Sequence, residues 1–288
     1  MTIIIHRCRP QTLIQDHGRA GLRRSGVGAS GAADRASFDL ANRMVGNAPG
    51  TAGIECLLGG LTISTDATVA VAVTGADAPL TIAGTPHPHA CTIWLHPGQT
   101  LQLGTPTHGL RTYVAVRGGV EVEPVLGSRS CDTLSGLGPA PLSAGAQLPI
   151  GNAQQPLPPI TLAPICGLQA DIIDLRALRG PRDGWFKNPE ALELGTWQAT
   201  TNVNRIGLRL DRTDNSAPML ERSCPGELPT EAVAPGSIQI PPSGQPVIFL
   251  ADHPVTGGYP VIAVLAEADI DSAAQIRPGQ RVRIRLLR

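Results

Sequence analysis

The chain of 288 residues contains a single lysine, Lys187, against 22 arginines; aromatic residues make up only 3% of it and no long apolar run is present. Each scarcity excludes something. A P-loop needs G-x-x-x-x-G-K-[ST], and Lys187 sits in FKNP, so that nucleotide cradle is absent. FKNP is also not the lysine-bearing hairpin of a biotin carrier, so no biotin is expected on this chain, and Lys187 has no serine-rich surroundings for Ser-Ser-Lys amidase chemistry. With so few aromatics and no basic stripe, stacking platforms for bases are missing and nucleic acid is not an expected partner. The longest apolar runs, such as VAVAV at 69–73, are far too short to span a bilayer, and MTIIIHRCRP is too short for a signal-peptide core. No C-x-x-C pair or G-x-S-x-G elbow occurs. The six scattered cysteines (Cys8, Cys56, Cys91, Cys131, Cys166, Cys224) read as reduced thiols of a cytoplasmic protein.

What is abundant is glycine (33) and proline (27), bounding short apolar runs, a pattern of many strands. Strands are expected at 61–64, 69–73, 92–95, 100–103, 111–116, 237–240, 247–250, 261–265 and 282–286. Two helices are expected, at 35–45 and near 172–178, with a short turn after Ile270. The class is therefore mainly β, with barrels or sandwiches favoured over alternating β and α units. HPGQTLQLG (96–104) and RPGQRVRIRLL (277–287) share a Pro-Gly-Gln turn feeding a strand, with LSAGAQLPIG (142–151) as a looser copy. Pro then Gly is type II turn chemistry. The echo is either a recurrent turn or a trace of two related barrels. The proline-rich AQQPLPPITLAP (153–164) is a candidate linker, dividing the chain into subdomains 1–155 and 156–288.

HPHAC (87–91) spaces His87, His89 and Cys91 so that a strand would present all three on one face. Flanking prolines and the lack of a fourth ligand favour a loop, and no metal is expected. In GVGASGAADRASFDLANRMVGN (26–47), Asp34 precedes an apolar stripe of Phe38, Ala41, Met44 and Val45, and Gly46 follows it, as an N-cap and a C-terminal stop would. The same segment has a second reading. A glycine-rich loop at a helix N-terminus, with backbone N–H groups at Ser30 and Gly31, suits a carboxylate or phosphate.

Several ordered motifs carry a family resemblance. They are the 26–47 segment; Glu55 before Gly59–Gly60; VTGADAPL (73–80); GLRTYVAVRGGV (109–120); LGSRSCDTLSGLG (126–138); IGLRL (206–210); and PTEAVAPGSIQIPPSGQPVIFLADHPVTGGYP (229–260). Together they resemble the family of the 5-oxoprolinase C-subunit, also called allophanate hydrolase subunit 2 or the biotin-dependent carboxyltransferase A/B subdomain. Cys131, Leu208, Ala232 and His253-Pro254-Val255 depart from its usual pattern. The resemblance implies two cyclophilin-like β-barrel subdomains with few short helices, and an obligate smaller partner, the oxoprolinase B-subunit (allophanate hydrolase subunit 1-like).

Three functions follow from that resemblance. One is ATP-dependent 5-oxoprolinase, with the B-subunit and a separate A-subunit, the ATP lying on a partner or at an interface. A second is carboxyl transfer from carboxybiotin to urea or an amide. A third is a regulatory module that binds the B-subunit. A cyclic amide with an α-carboxylate needs a bidentate anchor, for which Arg117, Arg129 and Arg209 are candidates. It also needs oxyanion donors, for which the Ser30–Gly31 and Gly257–Gly258 loops are candidates. Glu231 or Asp252 is a candidate general base, provided burial raises its pKa. The matched motifs add Asp34, Asn42 and Thr256. Tyr259 is a residue to close over a ligand or merely pack. Gln239 must face opposite to Ile238 and Ile240, into a cavity or into solvent. Ser128 and Ser130 lie in a glycine-rich loop with no histidine nearby, so they are binding rather than nucleophilic candidates.

Overall fold

The computed structural model describes residues 1–164, 170–213, 217–223 and 226–287, which leaves Cys166 and Cys224 outside the described residues. The chain divides into two compact units. Unit 1 is Met1–Ala20, Ser30–Asp132 and Gly136–Gln169; unit 2 is Gly21–Ala29, Thr133–Ser135 and Ala170–Arg288.

Unit 1 holds strands β1 (Thr2–Arg7), β2 (Thr12–Gln15), β3 (Gly53–Leu57), β4 (Thr62–Thr65), β5 (Val69–Asp77), β6 (Leu80–Ile82), β7 (Thr85–Pro86), β8 (Ile93–Leu95), β9 (Thr100–Leu103), β10 (His108–Val116) and β11 (Gln147–Pro149). They form a six-stranded sheet, β11-β1-β4-β9-β6-β7, and a five-stranded sheet, β2-β3-β10-β5-β8. The VAVAV run explains how the second sheet is covered on both faces. Val69, Val71 and Val73 point into the core between the sheets, while Ala70 and Ala72 point the other way, beneath helix α1 (Arg35–Met44). Alanine there lets the helix lie close to the sheet. Its Phe38, Ala41 and Met44, with Val45 behind them, pack on those alanines and on Tyr113 and Ala115 of β10. This is the expected stripe, and Asp34 is its cap: the backbone is extended at Asp34 and the carboxylate accepts from Ser37 N at 2.9 Å. Gly46 ends the helix at φ +67°.

Unit 2 holds β12 (Ile172–Arg179), β13 (Trp197–Val203), β14 (Gly207–Arg212), β15 (Glu231–Ala232), β16 (Ser237–Gln239), β17 (Val247–Phe249), β18 (Thr256–Gly257), β19 (Val261–Leu265) and β20 (Arg281–Leu286), with helix α2 (Glu267–Ala274). Seven strands close a barrel in the order β12-β19-β16-β17-β14-β13-β20, and β15 pairs with β18 in a separate two-stranded sheet. The barrel is filled by inward residues such as Leu175, Leu208, Ile238, Ile248 and Val282. The mainly β expectation holds. All nine expected strands are present, within one residue at each end except β5, which runs on to Asp77, and β10, which begins at His108.

One expectation is overturned. Residues 172–178 form strand β12, not a helix. Leu175 and Ala177 point inward while Asp174 and Arg176 point outward, a period of two, and β20 pairs with the strand in parallel along its length. The turn expected after Ile270 is part of α2, which begins earlier, at Glu267. The Pro-Gly-Gln echo has a structural basis in each unit. Gly98 and Gly279 sit at φ +83° and +84°. Gln99 N donates to His96 O and Gln280 N to Arg277 O, both at 3.1 Å. The glutamine side chains fold back, so that their Oε1 atoms accept from His96 N and Arg277 N at 3.0 and 3.2 Å. Glutamine recurs because it locks the turn that feeds β9 and β20.

Candidate functional site

At the head of α1, Gly31 adopts φ +94°, and a Cβ there would lie 2.8 Å from the His17 carbonyl carbon. The loop is therefore pressed onto its neighbour. The amides that follow are committed to the protein. Ala32 N donates to Asp16 O at 2.9 Å, Ala33 N to Glu55 Oε2 at 3.0 Å and Asp34 N to the Tyr113 hydroxyl at 2.8 Å. Ser30 Oγ donates to Cys131 O at 3.3 Å. The cap reading of Asp34 therefore describes this helix start, and these amides are not a vacant anion cradle. Glu55 is buried opposite Arg111, 3.7 Å away. Burial, reinforced by Glu55 and Asp34, pushes the Tyr113 phenol pKa up, so it remains protonated.

Asn42 and Arg117, expected at a ligand, instead tie down the helix end. Asn42 Nδ2 donates to Thr51 O at 3.0 Å, and its Oδ1 accepts from Asn47 at 2.9 Å. Arg117 donates to the carbonyls of Val45 and Gln155 at 2.9 and 2.6 Å. The 128–130 loop is likewise bound from within. Asp16 accepts from Ser128 Oγ at 2.7 Å, Ser130 Oγ at 2.5 Å, Gly18 N at 2.7 Å and Arg129 N at 2.6 Å. Burial raises the Asp16 pKa, but these four donors outweigh it and hold the carboxyl below its ordinary value. The Arg129 guanidinium spans Val122 O and Glu121. Ser128, Arg129 and Ser130 are thus the ligands of a buried aspartate that the sequence reading did not single out. Its signal, a charge closing the apolar strand TLIQ, is faint.

In unit 2, Arg205 and Asp252 form a buried bidentate pair at 2.8 and 2.9 Å, and Thr133 adds donors from N and Oγ1 to Asp252 at 2.9 and 2.7 Å. Glu231 is gripped by both ends of the Arg182 guanidinium, whose hydrogen bonds hold its carboxyl below the usual range. The raised pKa that a general-base role requires is therefore not found at Glu231, and Asp252 is fully engaged as an ion-pair partner. Gln239 faces away from Ile238, as the alternation demands, yet it does not reach solvent. It lies buried with Nε2 donating to Tyr259 O at 2.8 Å, and a Cβ on Gly257 would come within 2.5 Å of that nitrogen. Glu231 pairs with Gly257 and Ala232 with Thr256 across the β15–β18 ladder, while Thr256, Gly258 and Tyr259 are exposed.

Arg209 differs from the other candidate arginines. It projects outward from β14 beside an open groove of about 500 Å³ whose walls include Asn202, Asn204, Ile206, Val247 and Phe249. Among the described residues it forms no ion pair. Phe249 also packs with Val233 and Val261, so the groove and the β15–β18 ladder share one apolar layer on the barrel exterior. A guanidinium, amide side chains and an aromatic ring around one concavity suit a small ligand with a carboxylate and an apolar body. Elsewhere, His89 bonds Ala78 O and Cys91 bonds Pro88 O, and the described residues contain no group of three or more His, Cys, Asp or Glu placed for a metal.

The family described as "Carboxyltransferase domain, subdomain A and B" matches residues 25–286. The chain belongs to that family. This carboxyltransferase A/B chain is 34% identical to the 5-oxoprolinase C-subunit of Escherichia coli (strain K12) over 96% of its own length and 89% of that protein's. It is 32% identical to the urea amidolyase of Saccharomyces cerevisiae over 94% of this chain but only 16% of that protein. The K. lactis urea amidolyase structure superimposes on it with a TM-score of 0.91 at 27% identity, covering 100% of this chain and 19% of that one.

Proposed function

We propose that this carboxyltransferase A/B chain is the C-subunit of an ATP-dependent 5-oxoprolinase, working with a smaller B-subunit and a separate A-subunit. One observation carries the reading. The match to the 5-oxoprolinase C-subunit spans 89% of that protein, whereas the urea amidolyase match spans 16% of a much longer one. The products are L-glutamate, ADP and phosphate. A five-membered lactam is a poor electrophile, and ATP as co-substrate supplies the activation of its carbonyl oxygen before water opens the ring. This chain's part is to hold and orient the lactam. Arg209 anchors the α-carboxylate through a bidentate contact, and Val247 and Phe249 give the ring an apolar wall. The amides of Ala32, Ala33 and Asp34, just before α1, are occupied within the protein. The reading therefore puts the nucleotide on a partner or at a shared interface.

A second reading, carboxyl transfer from carboxybiotin on another chain to urea or an amide, draws on the 0.91 TM-score to urea amidolyase. In that reading the biotin sits on another chain, because Lys187, the one lysine, lies in FKNP rather than in a methionine-flanked hairpin. One experiment separates the readings. The chain is co-expressed with its two oxoprolinase partners and assayed for ATP-dependent glutamate release from 5-oxo-L-proline. Turnover supports the proposal, and absence of turnover with all three chains present removes it. Carboxylation of urea with a biotinylated carrier then favours the second reading. Tight binding to the B-subunit without either activity favours a regulatory module.

A further inference from the structure

Two short segments interrupt the course of unit 1 and belong to unit 2: Gly21–Ala29 and Thr133–Ser135. Adjacent residues of one barrel loop hold them. Asp252 takes Thr133, and His253 takes Arg23. His253 is buried, and both ring nitrogens are committed. Nδ1 lies 2.9 Å from Leu250 O, which can only accept, so Nδ1 carries the hydrogen. Nε2 lies 3.3 Å from Arg23 Nη2, which can only donate, so Nε2 offers its lone pair. The ring is therefore neutral in one defined tautomer. A proton on Nε2 would remove the acceptor and set a cation against the guanidinium.

We propose that His253 and Arg23 form an acid-released latch that holds the Gly21–Ala29 segment on unit 2. The surrounding charges leave Arg23 as the group that decides the response. Asp252 directs its carboxylate at Arg205 and Thr133, and Glu231, two residues from Val233, is held by Arg182. Arg24, beside Arg23, adds positive charge and no counter-ion. The remaining contacts of the imidazole are with the Phe249 ring and backbone groups. Arg23 also donates to Val233 O at 3.2 Å, so one guanidinium docks the segment at two points, of which protonation removes one. Burial first, and Arg23 with it, pushes the His253 pKa below its ordinary value. For a group so depressed, the stabilisation is complete above the unfolded histidine value of about 6.5 and is lost as pH falls through the lower folded value. The latch is closed at neutral pH and opens in acid. This inference does not depend on which reaction the family member catalyses.

Hydrogen–deuterium exchange of the full chain tests it. The amides of Ser25, Gly26 and Val27 are hydrogen-bonded within the segment and act as reporters. After correction for intrinsic exchange, their protection should fall by up to about tenfold per pH unit as pH drops from about 6.5 towards the folded His253 pKa, and level off below it. His253→Gln supplies a neutral acceptor at every pH, and its protection should show no acid step. Arg23→Gln serves as a second variant if the first folds poorly; its side chain can donate to a neutral imidazole or accept from a protonated one, so the step should shrink to the part that burial alone supplies. Wild-type protection that is unchanged between pH 7.5 and 4.5, or an acid step in Arg23→Gln as large as that of the wild type, overturns the latch.

Discussion

Arg205 and Asp252 are both out of water, and each satisfies the other through two hydrogen bonds. Such a pair contributes little net stability, but removing one member strands the other charge. Asp252→Ala should therefore destabilise unit 2 by about 3–5 kcal/mol, and Asp252→Ala with Arg205→Met should recover much of that. Urea unfolding followed through Trp185 and Trp197, both in unit 2, measures it; a single-variant cost below about 1 kcal/mol would contradict the burial argument. Asp16 makes a different prediction. Its folded pKa is depressed, so its stabilisation is present above the ordinary carboxylate value of about 4 and is lost as pH falls through the folded value. Asp16→Asn should cost about 1.5–3 kcal/mol at pH 7 and flatten the acid limb of stability. Equal pH slopes for variant and wild type would show that Asp16 does not carry that limb. Neither residue's role was legible in the sequence. Asp252 meets a partner 47 positions away, and Asp16 meets Ser128 and Ser130 more than a hundred away. No local pattern records such distances.

Local chemistry was legible at the scale of elements wherever it alone decides the outcome. The α1 cap, stripe and stop are read from one continuous stretch because the cap bond spans three residues and the stripe repeats every three or four. The Pro-Gly-Gln turns are legible for the same reason. Strand β12 was not, since a short run with Ile172, Ile173, Leu175 and Leu178 fits a helical stripe nearly as well as an alternation. Its parallel partner β20, about a hundred residues on, decides. Two substitutions separate cap from packing at α1. Asp34→Ala removes a bond to Ser37 N and another to Ser37 Oγ, at a cost of about 1–2 kcal/mol. Gly31→Ala forces a side chain into φ +94° and against the His17 backbone, so it should cost at least as much. Thermal melts compare them, and an undisturbed Gly31→Ala protein would mean that the loop does not press on residues 17–18.

For the molecule as a whole, the family and mainly β class were readable because ordered motifs recur along the chain, but the way it shares segments between units was not. Gly21–Ala29 and Thr133–Ser135 carry no compositional mark of belonging to the second unit. The candidate ligand residues sort by the same logic. Arg117 and Arg129 are bound by carbonyls and a carboxylate that sequence cannot locate, while Arg209 is left on an open groove. If Arg209 anchors the substrate carboxylate, Arg209→Ala should lower kcat/KM of the assembled complex by about 10- to 100-fold, the loss of a charge-assisted hydrogen bond of about 1.5–3 kcal/mol. Arg209→Lys should recover only part of this, because an ammonium cannot grip a carboxylate bidentately. The residue is exposed, so co-elution with the smaller partner should be unaffected and the fold unchanged. Kinetics indistinguishable from wild type in an intact complex would remove Arg209 from the site and leave the groove without its anion partner. Loss of assembly would instead make the groove a docking surface for that partner.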